Sequence, residues 1–187
     1  MLTRRKAFEY GGVIAGVILI AFGVVAILMG MNGRSEVRDS LARENIVGTP
    51  DSTIPGQKVD TGAEAKAFAD VMRAHTLEST GGQTYAEMGR FLDEQGNATS
   101  DEEAAAIGPN GRPVENPLRQ LWVTETALTT ALNMSYLAEQ MALFGIVVGF
   151  ALLLSGIGFV VLAVGGALRV RETSTKAVPP VAAPAIK

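Results

Sequence analysis

Gln140-Met-Ala-Leu-Phe-Gly-Ile-Val-Val-Gly-Phe-Ala-Leu-Leu-Leu-Ser-Gly-Ile-Gly-Phe-Val-Val-Leu-Ala-Val-Gly-Gly-Ala-Leu168 runs for 29 residues without a charge or a proline. A helix rises 1.5 Å per residue, so about 20 such residues cross the hydrocarbon of a bilayer. A second run, Tyr10–Gly33, has 24 uncharged residues and passes the same length test. Two runs of this kind exclude a simple soluble globule. They predict an all-α membrane protein: two transmembrane helices in an antiparallel hairpin, both extended outside the membrane, with a small helical extracytoplasmic insertion. The segments read as 1–10 (cytoplasmic), 11–32 (first span), 33–140 (extracytoplasmic helical domain), 141–168 (second span) and 169–187 (a cytoplasmic Pro/Ala-rich tail).

Orientation follows from the charges flanking the runs. Residues 1–10 carry net +2, 31–142 net −8, and the tail from Arg169 net +3. Long loops translocate regardless of charge, so only basic residues near span ends count. Arg4, Arg5, Lys6, Arg169, Arg171 and Lys176 stand on one side, against Arg34, Arg38 and Arg43 on the other. Both termini are expected in the cytoplasm. The first apolar run is longer than a signal-peptide core, and its Leu28-Met-Gly-Met-Asn-Gly exit has no small-x-small cleavage pattern, so a retained anchor is expected.

Neither run holds an ionisable side chain, which argues against a proton relay or ion pathway. Small residues four apart, Gly12/Gly16, Gly145/Gly149 and Ala151/Ser155, are the candidate helix contacts, because they let backbones approach closely in lipid.

Between the spans, Val37 and Leu41 extend the first helix outward, and Gly48–Gly62 reads as loop from its Pro and Gly content. Thr61-Gly-Ala-Glu64 is a capping box. It opens a helix whose Phe68, Val71, Met72 and His75 predict one apolar face, closed by Gly81-Gly82. Thr84–Glu87 and Ser100–Glu103 are further boxes that predict short helices. Asn116-Pro117 starts the longest element, since Asn caps well and Pro suits the first helical position. No proline follows before Leu168, giving a helix of about 78 Å with Leu118, Leu121, Trp122, Leu128, Leu132 and Tyr136 as an outer apolar stripe. The poorly apolar stretch 93–117 is expected to take its order from neighbouring helices, of this chain or of a partner.

Glu44-Asn45-Ile46, His75-Thr-Leu-Glu-Ser-Thr-Gly-Gly-Gln-Thr-Tyr-Ala-Glu87 and Trp122-Val-Thr-Glu-Thr-Ala-Leu-Thr-Thr-Ala-Leu-Asn133 resemble a family of small two-span actinobacterial membrane proteins. The resemblance covers about residues 10–168, and its most specific residues are His75, Glu78, Gly81, Gly82, Thr84, Tyr85 and Glu87, with Trp122. It implies a bacterial membrane origin and this topology, without an activity. Members are often named after the small subunit of an aromatic ring-opening dioxygenase. Non-haem iron oxygenases hold their metal with two His and a carboxylate, and a chain with one His and no Cys cannot build that site.

Other chemistry is equally thin. His75 and Glu78 share a helix side, but the Phe68/Val71/Met72 neighbourhood predicts a packed structural histidine. Asp93, Gln95, Asn97 and Asp101 mimic calcium-loop spacing, yet Ala98 and Ala104 stand where Gly and a bidentate Glu are required. The arginines are scattered among acids, so no nucleic-acid partner is expected. The expectation is a non-enzyme without cofactor or metal, whose partners are membrane lipid and other membrane-protein subunits, of the same or another chain. A homo-oligomeric pore and an extracytoplasmic sensor are the alternatives.

Overall fold

The computed structural model describes residues 4–165, and their side chains from Tyr10 onward. The basic cluster Arg4-Arg5-Lys6 lies outside the described side chains, and Arg169, Arg171, Lys176 and the Pro/Ala-rich tail lie outside the described residues. The chain is mostly helical: α1 (Arg4–Arg43), α2 (Gly62–Ser79) and α3 (Pro117–Val164), with a small antiparallel pair, β1 (Phe91–Leu92) and β2 (Ala98–Thr99). At 40 and 48 residues, α1 and α3 are about 60 and 72 Å long. Both are long and apolar enough to cross a membrane.

Helix ends follow local chemistry. Asn45 ends α1 in the left-handed region (φ 52°), a conformation Asn tolerates better than most residues. Thr61 and Glu64 form the reciprocal capping box of α2. Gly81 (φ 62°) and Gly82 (φ 81°) turn the chain away, with the Gly82 N–H donating to the Leu77 carbonyl at 2.7 Å. Asn116 Oδ1 accepts the Leu118 N–H at 3.1 Å to open α3.

The chain divides into two compact units. One joins α1 up to Val24 with α3 from Phe150; the other is Val25–Gly149. In the larger unit the core is Leu41, Val59, Ala65, Ala69 and Leu132, bordered by Val37, Ile46, Ile54, Phe68 and Met72. The loop between α1 and α2 closes over it, with the Val59 N–H donating to the Ile46 carbonyl and Val47 bridged to Lys58. Gly48 is required there, because a Cβ would meet the Ile54 carbonyl oxygen at 1.9 Å.

Three expectations need correction. The buried face of α2 is Gly62, Ala65, Ala69 and Thr76, and His75 lies outside it. Small side chains sit closest to the neighbouring helices, so the larger Phe68 and Met72 only border the core. Only half of the Thr84–Glu87 box forms: the Glu87 carboxylate accepts the Thr84 N–H, while the Glu87 N–H donates to the Thr84 carbonyl, closing a single turn that gives way to β1. Gly89 abuts Thr99, whose backbone N a Cβ would meet at 2.5 Å, so the chain here pairs as strand. The Ser100–Glu103 box starts no helix; Asp101 Oδ1 instead accepts the Glu103 N–H in a turn.

The stretch 93–116 is ordered by its own backbone. Leu92 N–H donates to Val114, Ala106 to Leu92, Val114 to Ala106 and Asn116 to Arg90, each at 2.8–2.9 Å. The sequence reading missed this ladder, because its strands are two residues long and carry no periodicity.

Candidate functional site

Glu139 is the last acid before the second apolar run, and it is 7% exposed. Its Oε1 accepts Arg34 Nε and Arg38 Nε, both at 2.8 Å, and its Oε2 accepts the Gly62 backbone N–H at 2.6 Å. One carboxylate therefore ties together α1, the N-terminus of α2, and α3. An anion at a helix N-terminus meets unsatisfied amides and the positive end of the dipole. Burial opposes its charge, but the donors from Arg34, Gly62 and Arg38 prevail and hold the carboxyl below its ordinary value. Gly62 must be glycine: a Cβ would meet Tyr136 Cα at 2.8 Å and Glu139 Oε2 at 3.0 Å.

A second junction gathers Trp122, Tyr85 and Thr84–Glu87 around the start of α3. Trp122, 3% exposed, donates Nε1–H to the Gln83 carbonyl at 3.0 Å, and the Arg73 guanidinium stands 5.2 Å from its ring centroid. Arg119 donates to the Met88 and Tyr85 carbonyls while stacking 3.8 Å from the Tyr85 ring. Thr84 donates its amide and hydroxyl to Glu87, lowering that carboxyl's pKa. The segment after Gly81-Gly82 is thereby docked on α3.

His75 and Glu78 take no part in this junction. Both are exposed, and His75 Nε2 meets the Asp51 carboxylate of the preceding loop. That hydrogen bond holds the Asp51 carboxyl below its usual range. The arrangement latches loop to helix. Among the described residues, no group of three or more His, Asp or Glu side chains comes together as a metal site.

In the apolar runs the buried positions recur every seven residues. They are Gly16, Gly23 and Gly30 on α1, and Gly149, Gly156 and Ala163 on α3, with half-buried Ala142 in the same series. In the smaller unit a Cβ on Gly16 would meet the Gly156 carbonyl oxygen at 2.7 Å, and one on Gly156 would meet that of Gly16 at 2.6 Å. In the larger unit a Cβ on Gly30 would meet the Ala142 carbonyl oxygen at 2.6 Å. A seven-residue period keeps one stripe facing a partner helix when the pair coils left-handed. Of the residues read at four-residue spacing, Gly16 and Gly149 are buried, Gly12 and Gly145 are half-buried, and Ala151 and Ser155 are exposed.

The remaining surface of α3 is apolar well beyond the uncharged run. Val123 (47% exposed), Met134 (56%) and Leu137 (48%) share one side of the helix, at spacings of eleven and three residues. Leu118, Leu121 and Leu128 are also exposed, whereas Trp122 and Leu132 of the predicted stripe are buried and Tyr136 half-buried.

Sequence reasoning missed Glu139, Arg34, Arg38 and Gly62. One signal was present: two arginines four apart just after one apolar run, and a lone acid just before the other. Such flanking charges read first as topology signals, which concealed the ion pair. No protein-family model, curated protein or solved structure matches the chain.

Proposed function

We propose that this chain is a non-enzymatic integral membrane protein, a structural or accessory subunit of a membrane assembly. It sits as a two-span hairpin with both termini cytoplasmic and residues 33–140 outside, as in the actinobacterial two-span proteins it resembles. Burial supports the membrane placement. Within the most apolar window of each long helix, only 11% and 17% of the residues are buried. The core helix of a soluble protein would be covered by its own chain, so these surfaces call for lipid or another subunit.

The observation that carries the subunit reading is the set of exposed apolar side chains Val123, Met134 and Leu137 on one side of α3, above the uncharged run. Exposed apolar side chains that share one helix side give a partner a surface to cover. The two junctions beneath it, at Glu139 and Trp122, give that surface a fixed backbone.

Purification of the native protein in mild detergent tests the reading. A fixed set of foreign membrane subunits is expected to accompany it, and Val123→Glu with Leu137→Glu should release them while the chain stays folded. A large assembly made of this chain alone would favour a pore and overturn the accessory role.

A further inference from the structure

A groove of about 480 Å³ opens beside α1, α2 and α3 within the larger unit. Its walls are Leu41, Ile46, Phe68, Met72, Leu128 and Leu132, and the polar side chains in its lining are Ser40, Glu44 and Ser135. Ser40 and Ser135 also line a second depression, of about 490 Å³, that reaches Gly33 and Ala138. Gly33 ends the first uncharged run, and Ala138 lies two residues before the second. The two form an apolar track that leaves the span ends and climbs to Leu128, twelve residues or about 18 Å above Gln140.

We propose that this track holds one hydrocarbon chain of an outer-leaflet lipid, drawn out of the bilayer along α1 and α3 and capped by Phe68 and Met72 of α2. The proposal rests on the membrane placement given above. Continuity with the span ends supplies the route: an acyl chain entering at Gly33 and Ala138 passes Val37 and Met134, and also Glu36, Ser40 and Ser135, before it reaches the upper groove. Chemistry argues against a polar ligand: the walls offer mostly aliphatic, aromatic and thioether surface, and the two charges along the track, Glu44 and Glu36, disfavour an anionic headgroup but not an alkyl chain.

The test uses the full chain in single-copy nanodiscs of phosphatidylglycerol and phosphatidylethanolamine, with a trace of lipid bearing a diazirine at one acyl terminus. After illumination, labelled peptides are mapped by mass spectrometry. Label is expected in both apolar runs and also at Phe68–Met72, with none at Tyr85. Ala131→Phe, which fills the groove from an exposed lining position, should cut the Phe68–Met72 label at least fivefold and leave the runs unchanged. Ser135→Phe, at the entrance, should do the same and serves if the first variant fails to fold. Label confined to the runs would overturn the groove and leave the membrane placement standing. Label absent from the runs would overturn the placement, and the groove with it. Equal label at Tyr85, or a Phe68–Met72 label that both variants leave intact, would show random contact and also overturn the proposal.

Discussion

The Glu139 carboxylate accepts the backbone N–H of Gly62, the first residue of α2, at 2.6 Å and from 77 positions away in sequence. The same carboxylate holds Arg34 and Arg38, so α2 is anchored where α1 and α3 leave their apolar runs. Glu139→Ala leaves two guanidinium groups and a helix-start amide without their acceptor. Losing charge-assisted bonds of this kind costs about 1.5–3 kcal/mol each, less here for the arginines because their side chains are about 40% exposed. We expect a lowered unfolding temperature and faster hydrogen exchange at Gly62–Glu64. Unchanged exchange there would mean that the capping box alone holds the start of α2.

The same node gives a pH dependence. The folded pKa of Glu139 is depressed, so the unfolded chain binds its proton first as pH falls. Its contribution is fully present above the unfolded carboxyl value of about 4.3, and it is lost as pH falls through the lower folded value. Stability should therefore be flat in this respect from pH 7 to about 5 and decline below about 4. Glu139→Gln should start lower and decline less steeply. A variant whose acid decline matches that of the unmodified protein would remove Glu139 from the account.

Close helix approach depends on Gly16 and Gly156, and this is separable from glycine content. A side chain at Gly156 collides with the Gly16 carbonyl, whereas one at Gly158 has nothing within 4 Å. Gly156→Ala should cost about 1–3 kcal/mol by overpacking, and Gly158→Ala less than about 0.5 kcal/mol. Thermal unfolding of both in the same detergent compares them directly. Equal losses would point to backbone flexibility in place of contact.

How far the sequence carried this reading depends on the range of the chemistry involved. Thr61/Glu64, Gly81-Gly82 and Asn116-Pro117 mark helix ends correctly because caps are made by neighbours in sequence. Tertiary partners were hidden. Nothing local to Glu139 announces Gly62, and Asp51 is 24 residues from His75. The helix contacts were sought at four-residue spacing, while the buried glycines recur at seven, a period visible in Gly16, Gly23 and Gly30 once coiling is considered. Phe68, Val71 and Met72 drew attention from Ala65 and Ala69, whose small size lets α2 pack closely.

Topology can be read with single cysteines, since the natural chain has none. Ser52 lies in the loop after α1 and Ser174 in the tail. An impermeant thiol reagent on intact cells should react at position 52 and spare position 174, as the basic residues flanking the runs require. Reaction at 174 alone would reverse the orientation.

Asn116 controls whether 93–116 stays attached to the start of α3. It is 4% exposed, donates Nδ2–H to the Gly89 carbonyl at 3.0 Å, caps α3 by accepting the Leu118 N–H, and gives its own amide to Arg90. Asn116→Ala keeps the amide but loses both side-chain bonds, and the cap alone is worth about 1 kcal/mol. A glutamyl endopeptidase reports the outcome, because Glu103, followed by Ala104, stands exposed in the turn where its N–H donates to Asp101 Oδ1. In the unmodified chain the ladder between Leu92, Ala106 and Val114 should keep cleavage after Glu103 slow, even without a partner. With alanine at position 116, the backbone amide bond to Arg90 remains but the side-chain bond to Gly89 and the cap of α3 are lost, and cleavage should accelerate about fivefold, in line with about 1 kcal/mol of local opening. Rapid cleavage of the unmodified isolated chain would show that the ladder does not hold alone and would return its order to a partner surface.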